Sequence, residues 1–180
     1  MSDLDCCCFK CVKEKDVAIV ENLGQYNRTA TAGCNVLMCP MESIVGTLSL
    51  RIQQLNVQCD TKTKDNVFVK VAVAVQYFAI QEKAYEAFYK LTNHRGQITS
   101  YVFDGIRSSF PKLDLDSAFE SKDSVAKNVQ EQLAAQMEEY GYRIVNVLII
   151  DVEPDSTVKN AMNEINAQQR LREANSFKAE

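Results

Sequence analysis

The sequence contains a single histidine, His94, in 180 residues. An acyl-transfer triad needs a histidine base, and this one lies in Asn93-His94-Arg95-Gly96, a junction between two helical patterns. A solvated or capping histidine is expected there, not a base. Glycine is sparse, and neither GxGxxG nor GxxxxGK[ST] occurs among the six glycines, so no phosphate cradle is expected. The carboxylates Asp104, Asp114 and Asp116 have no partner at an informative spacing and read as surface acids. No block of Lys and Arg offers a track for phosphates; with a net charge of −4 and a pI near 5.2, nucleic acid is not an expected partner. No apolar run is long enough to span a bilayer. The stretch from Thr29 to Met41 is uncharged, but it is too short and holds Gly33 and Pro40. Residues 2–15 lack an apolar segment of the kind a secretory signal needs. The expectation is a protein that is not an enzyme and holds no cofactor or metal.

Cysteine, by contrast, is plentiful. Seven cysteines, an odd number, without a secretory signal read as free thiols in a reducing compartment rather than as a disulfide framework. A hydrophobic content of 46% with 24% charged residues is that of a globular chain, long enough for one domain with an appendage.

The strongest pattern runs from Thr47 to Phe78 and folds back at Lys64-Asp65-Asn66. In its second arm Val67, Val69, Val71, Val73, Val75 and Tyr77 occupy every odd position, so one face of a strand is β-branched or aromatic and needs a core. In the first arm Leu48, Leu50 and Ile52 alternate, then the phase slips by one residue before Leu55, Val57 and Cys59. A β-bulge at Gln53-Gln54 would absorb that slip, giving one long hairpin. Before it, Val17 to Val20 reads as a buried strand and Asn22-Leu23-Gly24 as a turn, with a further turn at Ala32-Gly33. After it the period changes. Ala84, Phe88 and Leu91 share one helical face; Ile98, Val102, Ile106 and Phe110 share another, ended by Pro111. Asp116 is placed to cap a short turn through Phe119. Val125, Val129, Leu133 and Met137 mark a third helix, closed by Gly141 in a left-handed cap. Tyr142 to Val152 reads as a strand returning to the hairpin's sheet.

Residues 1–15 read as a tail too polar to pack and too short to fold, carrying Cys6, Cys7, Cys8 and Cys11. The alternatives are an incidental tail and a metal or redox site, and the latter lacks a well-placed second ligand pair. S-acylation is the favoured reading, because accessible thiols on such a tail can each carry a chain of many methylenes. Ser2 stands where N-myristoylation would need Gly. The apolar loop of Val36, Leu37, Met38, Cys39 and Met41 is either core, toward which the residues themselves lean, or an exposed tip in contact with membrane. At the other end, a helix from Ser156 runs to Glu180 with Val158, Ala161, Met162 and Ile165 as a narrow apolar stripe and balanced charges. Such a helix suits contact between molecules better than a core, and its lack of a stop signal suggests a chain that continues.

The residues alone specify a mixed α/β domain with a helical tail. The segment Leu48-Ser-Leu-Arg-Ile-Gln-Gln-Leu-Asn-Val-Gln-Cys59 with Thr61-Lys-Thr-Lys-Asp-Asn-Val-Phe-Val69, however, closely resembles the band 7 domain (SPFH: stomatin, prohibitin, flotillin). The likeness is nearest to plant-type hypersensitive-induced response proteins. Ala87 to Leu91, Gln97 to Asp104, Pro111 to Leu115 and Glu153 through Asn166 resemble that subfamily too, so the likeness covers about residues 12–175. Ser2 and Ala32 depart from its Met-Gly start and Pro-Gly turn. The resemblance implies an α+β fold: a mixed twisted sheet with a long β-hairpin and packed helices, followed by an extended coiled-coil helix. It further implies a non-enzymatic scaffold on the cytoplasmic face of a membrane, assembling with itself into a large ring or cage. Expected partners are copies of itself, inner-leaflet lipids and unidentified membrane or signalling proteins. The expected divisions are an anchor tail at 1–15, the domain at 16–154 and the helix at 155–180. Two rivals stand beside this reading: a soluble adaptor, and a metal or redox sensor using the cysteine cluster.

Overall fold

The computed structural model describes residues 9–179. Eight strands and five α-helices follow in the order β1 (Phe9–Val12), β2 (Asp16–Asn22), β3 (Gln25–Ala30), β4 (Gly33–Val36), β5 (Glu42–Ser49), β6 (Gln53–Lys62), β7 (Phe68–Ala79), α1 (Ala84–Tyr89), α2 (His94–Ser109), α3 (Leu115–Glu120), α4 (Lys122–Glu139), β8 (Tyr142–Pro154) and α5 (Ser156–Ala179). Short 3₁₀ turns lead into α1 and follow α2. The fold is α+β, as expected.

The main layer is the antiparallel sheet β6-β7-β8. The odd-numbered face of β7, from Val69 through Tyr77, is buried against α2 and α4. Those helices contribute Ile98, Val102, Ile106 and then Val129, Leu133 and Met137, all nearly inaccessible. Spacings of four put each set on one helical face, and a sheet face needs such a cover. β8 returns beside β7 as the pattern of Tyr142 to Val152 suggests, with register shifts at Ala72/Val73 and Gln76/Tyr77.

The expected long hairpin is divided. β5 pairs with β2 in a second sheet, β3-β2-β5, whereas β6 pairs with β7 in unbroken register from Gln53↔Tyr77 to Lys62↔Phe68. There is no bulge at Gln53-Gln54. The phase slip is a crossing between sheets over Leu50, Arg51 and Ile52. The turn of the remaining hairpin uses Asn66 at φ 64°, and Asp65 does more than turn: its carboxylate accepts the backbone N–H of Leu115 at 2.9 Å. Asp65 thus serves the start of α3, whose N-cap position is Asp114, and Asp116 lies inside the helix rather than ahead of it.

β2 is buried on both faces. Ala18 and Val20 pack with Ala30 and Leu37, and Val17 and Ile19 with Ala84. The expected turn at Asn22-Leu23-Gly24 joins β2 to β3, with Leu23 at φ 50° and Gly24 at φ 84°. Part of the expected unstructured tail is a strand: β1 pairs with β4 in a two-stranded sheet, Phe9 opposite Val36 and Cys11 opposite Cys34. Cys6, Cys7 and Cys8 lie outside the described residues.

Candidate membrane-facing and assembly surfaces

The apolar side chains that the core leaves uncovered gather at two places. The first is the tip formed by the β2–β3 turn and the β4–β5 loop. Leu23 is 80% exposed, Met38 69%, and Val36 and Met41 are at least half exposed. The two segments are joined directly, since the N–H of Leu23 donates to the carbonyl of Met41 at 3.1 Å. Phe9 extends the surface, because it is exposed and lies opposite Val36 across the β1–β4 pair. Leu37 corrects the expectation for this loop. It is only 4% exposed and packs on Ala18, Val20 and Ala30, so it holds the loop to the sheet and does not face outward. Leu37 is thus core, whereas Val36, Met38 and Met41 around it are exposed.

A polar frame sets the loop. The Glu42 carboxylate accepts hydrogen bonds from Asn27 Nδ2 at 2.7 Å and the Met38 N–H at 3.1 Å, and it pairs with Arg28 at 3.4 Å. Arg28 also donates to the Val36 carbonyl. The Met38 backbone bond, and then the Arg28 charge, hold the Glu42 carboxyl below its usual pKa. Exposed methionine and leucine on a hydrogen-bonded frame form a preset apolar surface rather than a collapsed loop. The sequence carried one signal for Leu23 that composition obscured: a large apolar residue in a left-handed turn position has no core to enter.

Within the described part of the cysteine-rich start, Cys11 is exposed and its Sγ lies 2.7 Å from Cys34 Sγ. The hydrogen bond with Cys34 raises the pKa of the Cys11 thiol. Cys39 is exposed as well, and Cys59 is buried, with its thiol pKa raised mainly by that burial. Among the described residues no group of His, Cys, Asp and Glu is arranged to hold a metal ion.

The second surface is α5. Its stripe is not spare along its whole length. Val158 and Met162 are half-buried and pack against the main core, a correction to the expectation that this stripe suits contact between molecules better than a core. Ala161 is exposed, Ile165 is 57% exposed, and Leu171 beyond it is exposed as well. The base of the helix is a docked element, and Ala161, Ile165 and Leu171 are exposed.

His94 differs from expectation too. As the first residue of α2 it stacks on Tyr142, with ring centroids 4.9 Å apart and planes 18° apart. Burial, with help from Arg95, lowers its pKa. The capping role belongs to Asn93, whose side chain accepts the Gly96 N–H at 3.0 Å. No described helix is long and apolar enough to cross a membrane.

The profile of the SPFH domain / Band 7 family matches residues 10–180. The chain is similar to Hypersensitive-induced response protein 4 of Arabidopsis thaliana, 42% identical over 182 residues that cover all of this chain and 62% of that relative. It is also similar to the mitochondrial Stomatin-like protein 2 of Rattus norvegicus, 27% identical over 89% of this chain and 46% of that protein. An uncharacterized protein of Methanothermobacter thermautotrophicus is 26% identical over 96% of this chain and 54% of its own length. The chain thus spans less than two thirds of each of these relatives.

Proposed function

The chain belongs to the SPFH domain / Band 7 family, and we propose that it is a non-enzymatic scaffold. It binds the cytoplasmic face of the plasma membrane peripherally and assembles with itself into a large ring or cage. In this role it organises a membrane microdomain and the proteins held there. The name of the Arabidopsis relative suggests defence or cell-death signalling as the setting. The observation that carries the reading is the tip: Leu23, Val36, Met38 and Met41 stand exposed together on a hydrogen-bonded frame. Each large apolar side chain moved from water into lipid contributes roughly 1.5–3 kcal/mol when fully buried. The tip therefore supplies one anchoring signal, and acyl chains on the cysteines of the set Cys6, Cys7, Cys8 and Cys11 supply the other, since a single chain binds only marginally. Self-assembly uses the exposed Ala161, Ile165 and Leu171 of α5, which forms the start of a coiled coil. Many weakly bound copies then hold a membrane together.

Fractionation and native size test the reading together. Expressed in eukaryotic cells, the chain should pellet with membranes and run in mild detergent as a particle of many copies. A soluble monomer in that experiment contradicts the proposal and favours an adaptor that waits for one protein partner.

A further inference from the structure

The N-terminal strand is held in an unusual way. β1 has β4 as its sole hydrogen-bonded strand among the described residues, and a two-stranded ribbon by itself is marginal in water. Four residue pairs set its register, and one of them places two cysteines directly opposite each other, Cys11 and Cys34. Direct partners in an antiparallel pair have Cα atoms about 4.5–5.5 Å apart. That range lies within the roughly 4.4–6.8 Å a disulfide tolerates. The sulfur atoms are 2.7 Å apart, already near the covalent separation of about 2.05 Å. Both residues are exposed, so a small oxidant in solution can reach them. The two cysteines are 23 residues apart in sequence, and it is the fold that brings them together.

We propose that Cys11 and Cys34 form a reversible dithiol–disulfide pair, closed by exchange with a low-molecular-weight disulfide such as oxidised glutathione, which fastens β1 to β4. One protein thiolate attacks oxidised glutathione, forming a mixed disulfide and releasing one glutathione thiolate. The thiolate of the other cysteine then attacks the protein sulfur of that mixed disulfide and releases the second. One S–S bond breaks and one forms. The protein gives up two protons and two electrons, and two molecules of reduced glutathione carry them away.

Closure has two consequences. A sulfur in the disulfide cannot carry a thioester, so Cys11 is removed from the set of acylation candidates and Cys6, Cys7 and Cys8 are left. Phe9 is also fixed beside Val36 at the tip, whereas the reduced form holds it by strand pairing alone. The pair therefore sets whether β1 is locked to β4 beside the tip. This inference does not require the chain to bind membrane.

The test uses the full, unacylated chain from a bacterial host. It is equilibrated over a range of reduced-to-oxidised glutathione ratios, quenched in acid, alkylated, and read by peptide mass spectrometry without reduction. The expected result is that the alkylated Cys11 and Cys34 peptides disappear together and are replaced by one linked species, while buried Cys59 stays a thiol. In Cys34→Ser, Cys11 should carry glutathione instead. Separate glutathione adducts on Cys11 and Cys34 in the wild-type chain would overturn the proposal. So would preferential linkage of Cys11 to Cys39 or to one of Cys6, Cys7 and Cys8.

Discussion

Met38 and Glu42 hold each other by two hydrogen bonds. The backbone N–H of Glu42 donates to the Met38 carbonyl at 2.9 Å, and the Met38 N–H donates to the Glu42 carboxylate at 3.1 Å. An exposed apolar side chain is thereby presented by a reciprocal polar clasp. Its geometry is set by charge and hydrogen bonding together with the burial of Leu37 beside it.

The clasp makes the tip sensitive to acid. The folded Glu42 carboxyl has a lowered pKa, so the folded state binds fewer protons there than the unfolded chain does as the pH drops. Its contribution to stability is complete above the ordinary carboxylate range and is lost as pH falls through the lowered folded value. Glu42→Gln should melt below the wild type at pH 7, and the gap should narrow steadily toward pH 3. Thermal melts across that range check it; a gap that stays constant would separate the effect from ionisation.

Gly141 supports the main layer. Its φ is +79°, and a Cβ there would meet the Lys83 carbonyl oxygen at 2.6 Å, a backbone atom that cannot swing away. Gly141→Ala should therefore cost more than about 1 kcal/mol. In a chain of this size each 1 kcal/mol lowers Tm by roughly 2–4 °C. An unchanged Tm would show that the junction between α4 and β8 relaxes.

α5 should divide into a folding half and an assembly half. Met162→Asp puts a charge against the main core and should lower Tm by several degrees. Ile165→Asp touches an exposed position and should stay within about 0.5 kcal/mol of wild-type stability. Only size should change in the second variant, from a large particle to a small species by light scattering. A large particle persisting in Ile165→Asp would assign assembly to the domain and not to the helix.

Much of this architecture is legible in the residues because periodicity reports which side chains share a face. Ile98, Val102, Ile106 and Phe110 declare a helix face, and the odd positions of β7 declare a sheet face. Periodicity does not report what covers a face. Leu48 and Leu50 alternate just as Leu55 and Val57 do, so a crossing between two sheets imitates a bulge. Val158 and Met162 look spare until the domain beneath them is built. The site was readable to the same degree. An apolar loop at 36–41 is evident, but the inward turn of Leu37 depends on Ala18, Val20 and Ala30, which are distant in sequence. Cys34 gained its meaning only from the β1–β4 register.

The central claim is that the tip itself touches lipid. Flotation of unacylated chain with phosphatidylcholine–phosphatidylserine vesicles tests it without help from thioesters, comparing wild type with Leu23→Asp/Met38→Asp. Both positions are exposed, so the double variant should keep the wild-type Tm. The wild type should rise with the vesicles, and the double variant should stay at the bottom of the gradient. Equal flotation of the two would contradict the claim.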